Sequence, residues 1–132
     1  MRTLASAVVV TLLLTAHTAF AAQPDCASAT DQATLTQCAN NSLKASDAKL
    51  NQTFRALQAK VSKPGKDKLQ KAQRAWIAWR DAQCAFDSSG SSDGSVHGMV
   101  LASCLDDLTK AQTKLLDSQL HCQEGDTACG GQ

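Results

Sequence analysis

Six cysteines, Cys26, Cys38, Cys84, Cys104, Cys122 and Cys129, constrain this chain more than any other feature. An even number of cysteines in a short exported chain reads as a disulfide framework, the usual support of a domain too small to bury a large apolar core. The argument for export comes from the first residues. MRTLASAVVVTLLLTAHTAFAA opens on Arg2, runs through an apolar stretch at residues 7–14 and closes on the small-residue pattern Ala19, Phe20, Ala21. That is the pattern of a cleavable signal peptide, residues 1–21, with cleavage expected after Ala21 or Ala22. A membrane span needs about 20 apolar residues, and Thr11, Thr15, His17 and Thr18 interrupt this stretch. Cys26 follows Gln23, Pro24 and Asp25, not the small apolar residues of a lipoprotein site. The expected product is one periplasmic or secreted domain, residues 22–132, with neither a lipid anchor nor stable membrane insertion.

Hydrophobic periodicity organises that domain. No Gly or Pro interrupts the chain from Thr30 to Pro64, and Leu43, Leu50, Phe54, Leu57 and Val61 fall on one helical stripe. This predicts one long helix, or two with a bend near Asn40 and Asn41, ended by Pro64 and Gly65. A second helix is expected over 67–86, with Leu69, Ala72, Trp76, Trp79 and Cys84 inward. The stretch DSSGSSDGSVHG holds three glycines and five serines and predicts a flexible loop. Periodicity resumes with Met99, Leu101, Cys104, Leu105, Leu108, Ala111, Leu115 and Leu120, a third helix ending near His121. No stretch alternates with period two. The expectation is an all-α bundle of three principal helices, antiparallel where short connections join them, with Leu50, Phe54, Leu57, Trp76, Trp79 and Leu108 in the core.

Two charges sit on these apolar stripes. Asp47 lies between Leu43 and Leu50, and Arg80 lies four residues after Trp76, about 40° around the helix. An unpaired charge in a core costs several kcal/mol, so Asp47 and Arg80 are expected to meet, with Trp76 over them. The tryptophan cluster is then core with a polar pin. Six cysteines leave many pairings open; the helical layout favours the sequential one. Cys84–Cys104 would staple the second and third helices across the loop, Cys122–Cys129 would close the tail, and Cys26–Cys38 would pin the N-terminal arm.

Charge divides along the chain. Between Arg55 and Arg80 stand eight basic residues against Asp67, and from Asp81 onward eight acids against Lys110 and Lys114. The basic run lacks the interleaved aromatics of a nucleic-acid surface, so no nucleic-acid partner is expected. No metal and no cofactor is expected either: the cysteines are not spaced for zinc, and neither CxxC nor CxxCH occurs. Asp93, Ser95 and His97 fall within five loop positions, too close for a catalytic triad, and the chain does not read as an enzyme.

The runs DAKLN (residues 47–51), QRAWIAWRDAQC (73–84), Gly94 with Ser95, SCLDDLT (103–109) and CQEGDTAC (122–129) together resemble the LprI-type lysozyme inhibitor family. Two departures stand out: Gln112 where the family often has an arginine, and Phe54 where it has an aromatic hydroxyl. The resemblance implies a helical, disulfide-bonded envelope protein, in some members an inhibitor of lysozyme. On that reading the loop at residues 88–98 plugs the enzyme's glycan-cleaving cleft. Ser92, Ser95 and His97 serve as donors, and Asp93, Asp106 and Asp107 favour approach of a basic enzyme. The alternative is a non-inhibitory structural or adaptor protein of the envelope that holds anionic polymer or lipid headgroups with the basic hairpin at residues 60–71.

Overall fold

A computed structural model describes residues 24–123 and 125–131; the expected signal peptide lies outside them. Three helices form, α1 (Gln32–Lys60), α2 (Lys63–Asp87) and α3 (His97–Leu120), with a short 3-10 turn at Ser89–Ser91 between the last two. α1 starts where the Asp31 carboxylate accepts the Thr34 N–H, and it runs unbroken through Asn40 and Asn41. Val61 and Ser62 alone separate it from α2. The Ser62 hydroxyl caps α2 by accepting from Gly65 N–H, so Pro64 falls in the first turn. A helix has no use for an N–H there. The expected start at Asp67 is therefore one turn late: Pro64 opens the helix and does not precede it.

Contacts fix the directions. Gln32 Nε2 reaches Met99 Sδ, Ser46 Oγ reaches Asp106, and Lys60 Nζ reaches the Leu120 carbonyl. Residue numbers rise together along both helices, so α1 and α3 are parallel. α2 runs antiparallel to each, as short connections require, with Arg80 against Asp47. The largest interface nonetheless joins the two parallel, non-consecutive helices.

Leu50, Leu57, Val61 and Leu116 form the buried cluster, with Phe54, Leu69, Trp76 and Leu120 packed against it. This apolar end lies near the α1–α2 connection. The other end is polar: Ser46, Asp106 and Thr109 are buried there, and Cys26–Cys38 and Cys84–Cys104 bind it covalently. Cross-links thus support the half of the bundle that has least apolar surface to bury. The third bond, Cys122–Cys129, folds the tail back, and no cysteine is free. The tail docks on the α1–α2 corner, where the Gly131 carbonyl accepts from Ser62 N–H at 2.8 Å and Ser62 Oγ at 2.9 Å. A Cβ on Gly65 would stand 2.5 Å from that carbonyl oxygen, so only glycine admits the strap.

Trp79 corrects the expected core. It is 51% exposed, and Leu115 is 63% exposed, while Leu108 is half-buried. The rotation of α2 is set by the residues it buries, Gln73 and Cys84, and by Arg80, which is partly buried. Trp79 lies about 60° from Trp76 around the helix, on the far flank from Cys84. Trp76 goes inward and Trp79 does not.

Candidate functional site

The connection between α2 and α3 is not the flexible loop that its glycine and serine content suggests. Ser88 is 1% exposed, and its hydroxyl donates to the Cys84 carbonyl at 2.7 Å. Ser91 Oγ donates to the Ser88 carbonyl, and the amides of Ser92, Gly94 and His97 donate to the carbonyls of Ser89, Ser91 and Gly94. Serines use their short hydroxyls to satisfy backbone locally, and a chain of turns results. The Cys84–Cys104 bond closes its base.

Ser92, Asp93 and Ser95 are exposed on this scaffold, with Ser95 on the rim of an open depression shared with Gln32, Ala33, Thr36 and Gln37 of α1. His97 is placed otherwise. Its Nδ1 lies 3.3 Å from the Ser88 carbonyl and 3.2 Å from Ser91 Oγ. Both oxygens act as acceptors toward it, since the Ser91 proton is already given to Ser88, so the network assigns the ring proton to Nδ1. Through these Nδ1 contacts His97 braces the loop from within.

Arg80 joins all three helices. Its Nη1 reaches Asp47 Oδ1 at 3.1 Å and Thr109 Oγ1 at 3.0 Å, its Nε and Nη2 reach Asp81 Oδ1 at 3.0 and 2.9 Å, and its guanidinium lies 5.2 Å from the Trp76 ring centroid. The side chain of Arg80 is 13% exposed against 41% for Asp47, so the two partners are not equal. Arg80→Ala strands the buried Thr109 hydroxyl and removes the side-chain hydrogen bonds by which Arg80 holds α2 to α1 and α3, and should cost about 2 kcal/mol. Asp47→Ala removes one half-exposed carboxylate from an arginine that keeps another, and should cost less than about 1 kcal/mol. Thermal melts of the two single variants test this; equal losses would refute the hub arrangement.

Asp106 is not a surface acid that could steer a partner. It is 6% exposed, and it accepts from Ser46 Oγ at 2.6 Å, Ser42 Oγ at 2.7 Å and Lys110 Nζ at 2.7 Å. Burial opposes its ionisation, but the bonds from Lys110, Ser46 and Ser42 prevail and hold the carboxyl below its ordinary range. The partner Lys110 is raised, chiefly by the same hydrogen bond. Sequence reasoning missed this cluster. Its signal was two polar pairs at four-residue spacing, Ser42 with Ser46 and Asp106 with Lys110, on helices that must pack. Among the described residues one group of metal-ligating types gathers, Cys122, Asp126 and Cys129, and its two sulfurs are bonded to each other.

These features define a small, disulfide-stapled helical domain that holds out a preshaped polar loop. The profile of the family described as lysozyme inhibitor LprI matches residues 24–116, and the chain belongs to that family. It is also similar to an uncharacterised protein of Rhizobium meliloti (strain 1021), 34% identical over 115 residues that span 77% of this chain and 83% of the relative. No solved structure matches it. No helix among the described residues is long and apolar enough to cross a membrane.

Proposed function

We propose that this chain is a periplasmic or secreted inhibitor that binds a lysozyme and blocks its glycan-cleaving cleft with the loop at residues 88–98. The observation that carries the reading is the internal bonding of that loop. A segment already ordered by serine hydroxyls, His97 and a disulfide loses little conformational entropy on entering a cleft. Glycan cleavage relies on a pair of carboxyl groups; Ser92 and Ser95 bring hydroxyl donors to them, and Asp93 faces the basic enzyme surface around them. His97 contributes by holding the loop, not by touching the enzyme.

The test is an inhibition assay against a panel of lysozymes. Ser92→Ala with Ser95→Ala should weaken inhibition at least about tenfold, roughly 1.4 kcal/mol, with no change in melting temperature. A second reading has its own observation: Lys63, Lys68, Lys71 and Arg74 are exposed along the first half of α2, a surface suited to an anionic envelope polymer. Charge reversal at Lys66, Lys68 and Lys71 separates the two. If it abolishes inhibition while the serine double variant inhibits as well as the parent, the loop is not the contact. Polymer binding that is strongly salt-dependent, with no lysozyme inhibited, would favour the adaptor.

A further inference from the structure

Along α2, Ala72, Ala75, Trp79, Ala82 and Phe86 follow one another at spacings of three, four, three and four, and all five are exposed. Trp79 is 51% and Phe86 75% exposed. That alternation is the seam of a coiled coil. It runs along the outside of the bundle, since Cys84, five residues beyond Trp79, points about 140° away around the helix into its bond with Cys104.

We propose that this seam is covered by the same seam of a second copy of the chain, the two α2 helices packing antiparallel about a two-fold axis that crosses the seam at the level of residue 77. Size complementarity selects the direction. Antiparallel packing centred there sets Trp79 over Ala75 of the second copy, Ala72 against Ala82, and Phe86 against the aliphatic stem of Lys68. Parallel packing would stack ring on ring and alanine on alanine, leaving gaps between layers.

Charge selects the same direction. The first half of α2 carries Lys63, Lys66, Lys68, Lys71 and Arg74 against Asp67, whereas in the second half Arg80 is paired with Asp81, leaving Asp87 in excess, and Asp93 lies just beyond it. Antiparallel helices bring these opposite ends together, and parallel helices would oppose like with like.

Area sets the class of contact. Exposed Trp and Phe side chains offer about 150–250 Å² each. Half of one and three quarters of the other give about 250 Å² per copy, about 500 Å² for the pair before the alanines and the Lys68 stem are added. The total stays below about 1,200 Å², the range of reversible association. In this dimer the residue 88–98 loops stand at opposite ends, about 33 Å apart along the helix axis, both unobstructed.

Sedimentation of the disulfide-intact mature protein from about 1 to 500 µM should show a monomer passing into a dimer as concentration rises, the reversible behaviour expected of a small interface, and added salt should weaken it. Trp79→Glu with Phe86→Glu should stay monomeric throughout, with unchanged helical circular dichroism. For direction, an equal mixture of Ala72→Cys and Ala82→Cys proteins under mild oxidation should give the mixed covalent dimer. A parent that is monomeric at every concentration, or a double variant that still dimerises, overturns the proposal. So does absence of the mixed dimer, or each cysteine variant cross-linking to itself instead. Should the parent stay monomeric while the Trp79, Phe86 variant loses lysozyme inhibition, the seam contacts the enzyme and not a second copy.

Discussion

A chain with Cys84 and Cys104 both changed to alanine is expected to melt roughly 12 °C below the parent, a loss of about 3 kcal/mol. The bond joins residues 20 apart, and opening a closure of that length returns about this much conformational freedom to the unfolded chain. Alanine is the informative replacement because Cys84 is 0% exposed, and serine would add a buried hydroxyl to the account. The loss should also be uneven. The cluster of Leu50, Leu57, Val61 and Leu116 lies toward the other end of the bundle, so amide exchange should quicken first at residues 88–98. Opening Cys122–Cys129, which joins residues seven apart in the tail, should cost less and leave that loop protected. Calorimetry with hydrogen exchange checks both statements; equal effects from the two bonds would refute the division into a cross-linked end and an apolar end.

Asp106→Asn should lower stability at neutral pH by about 2–3 kcal/mol, although the change is nearly isosteric. Ser46 donates to one carboxylate oxygen and Ser42 and Lys110 to the other; the amide keeps one acceptor oxygen but sets an NH2 in place of the second, so at least one donor loses its acceptor and Lys110 loses its counter-charge. The pH dependence gives a separate signature. The folded carboxyl titrates below its ordinary range because its hydrogen bonds outweigh the opposing effect of burial. A carboxyl easier to ionise in the folded than in the unfolded chain stabilises fully above the unfolded value, about 3.9, and loses that contribution as pH falls through the folded one. The parent should therefore weaken in acid more steeply than the variant. Asp25 and Asp31 are also held low, led by hydrogen bonds from Ser28 and from the Thr34 backbone respectively; the variant flattens the acid limb without abolishing it. Lys110, with its side chain 53% exposed, should matter less when replaced. Urea titrations at neutral and acid pH decide, and parallel curves for parent and variant would remove Asp106 from its proposed role.

Local rules carried the reading of the sequence a long way. Period and spacing marked three helices within a few residues, and the helical layout pointed to the cysteine pairs that form. The requirement that a charge on an apolar stripe find a partner pointed to the contact of Asp47 with Arg80. What stayed illegible depends on rotation and on contacts between distant segments. Trp76 and Trp79 look equivalent in a periodicity count, and only the burial of Gln73 and Cys84 turns one in and the other out. Asp106 and Asp107 are neighbours in an acidic stretch; which faces α1 follows from how α3 lies against Ser42 and Ser46. The connection before α3 is ordered although its composition suggests freedom, because the hydroxyls of Ser88 and Ser91 bond to backbone carbonyls there.

The parallel pairing of α1 with α3 bears on the order in which the molecule can assemble. Ser46 and Asp106 stand 60 residues apart, as do Lys60 and Leu120. A chain made from its N-terminus presents α1 complete while the helix that covers it has yet to be synthesised. The α1–α2 hairpin offers only a small interface to wait on. Cys26 and Cys38, 12 residues apart, can join early, but that bond organises the arm and leaves the α1 stripe bare. Contacts at such separation reward the chain only after a long loop has closed. Docking of the last helix therefore closes the largest interface of the bundle, and until then the apolar stripe of α1 is open to whatever folding factor or competing chain meets it.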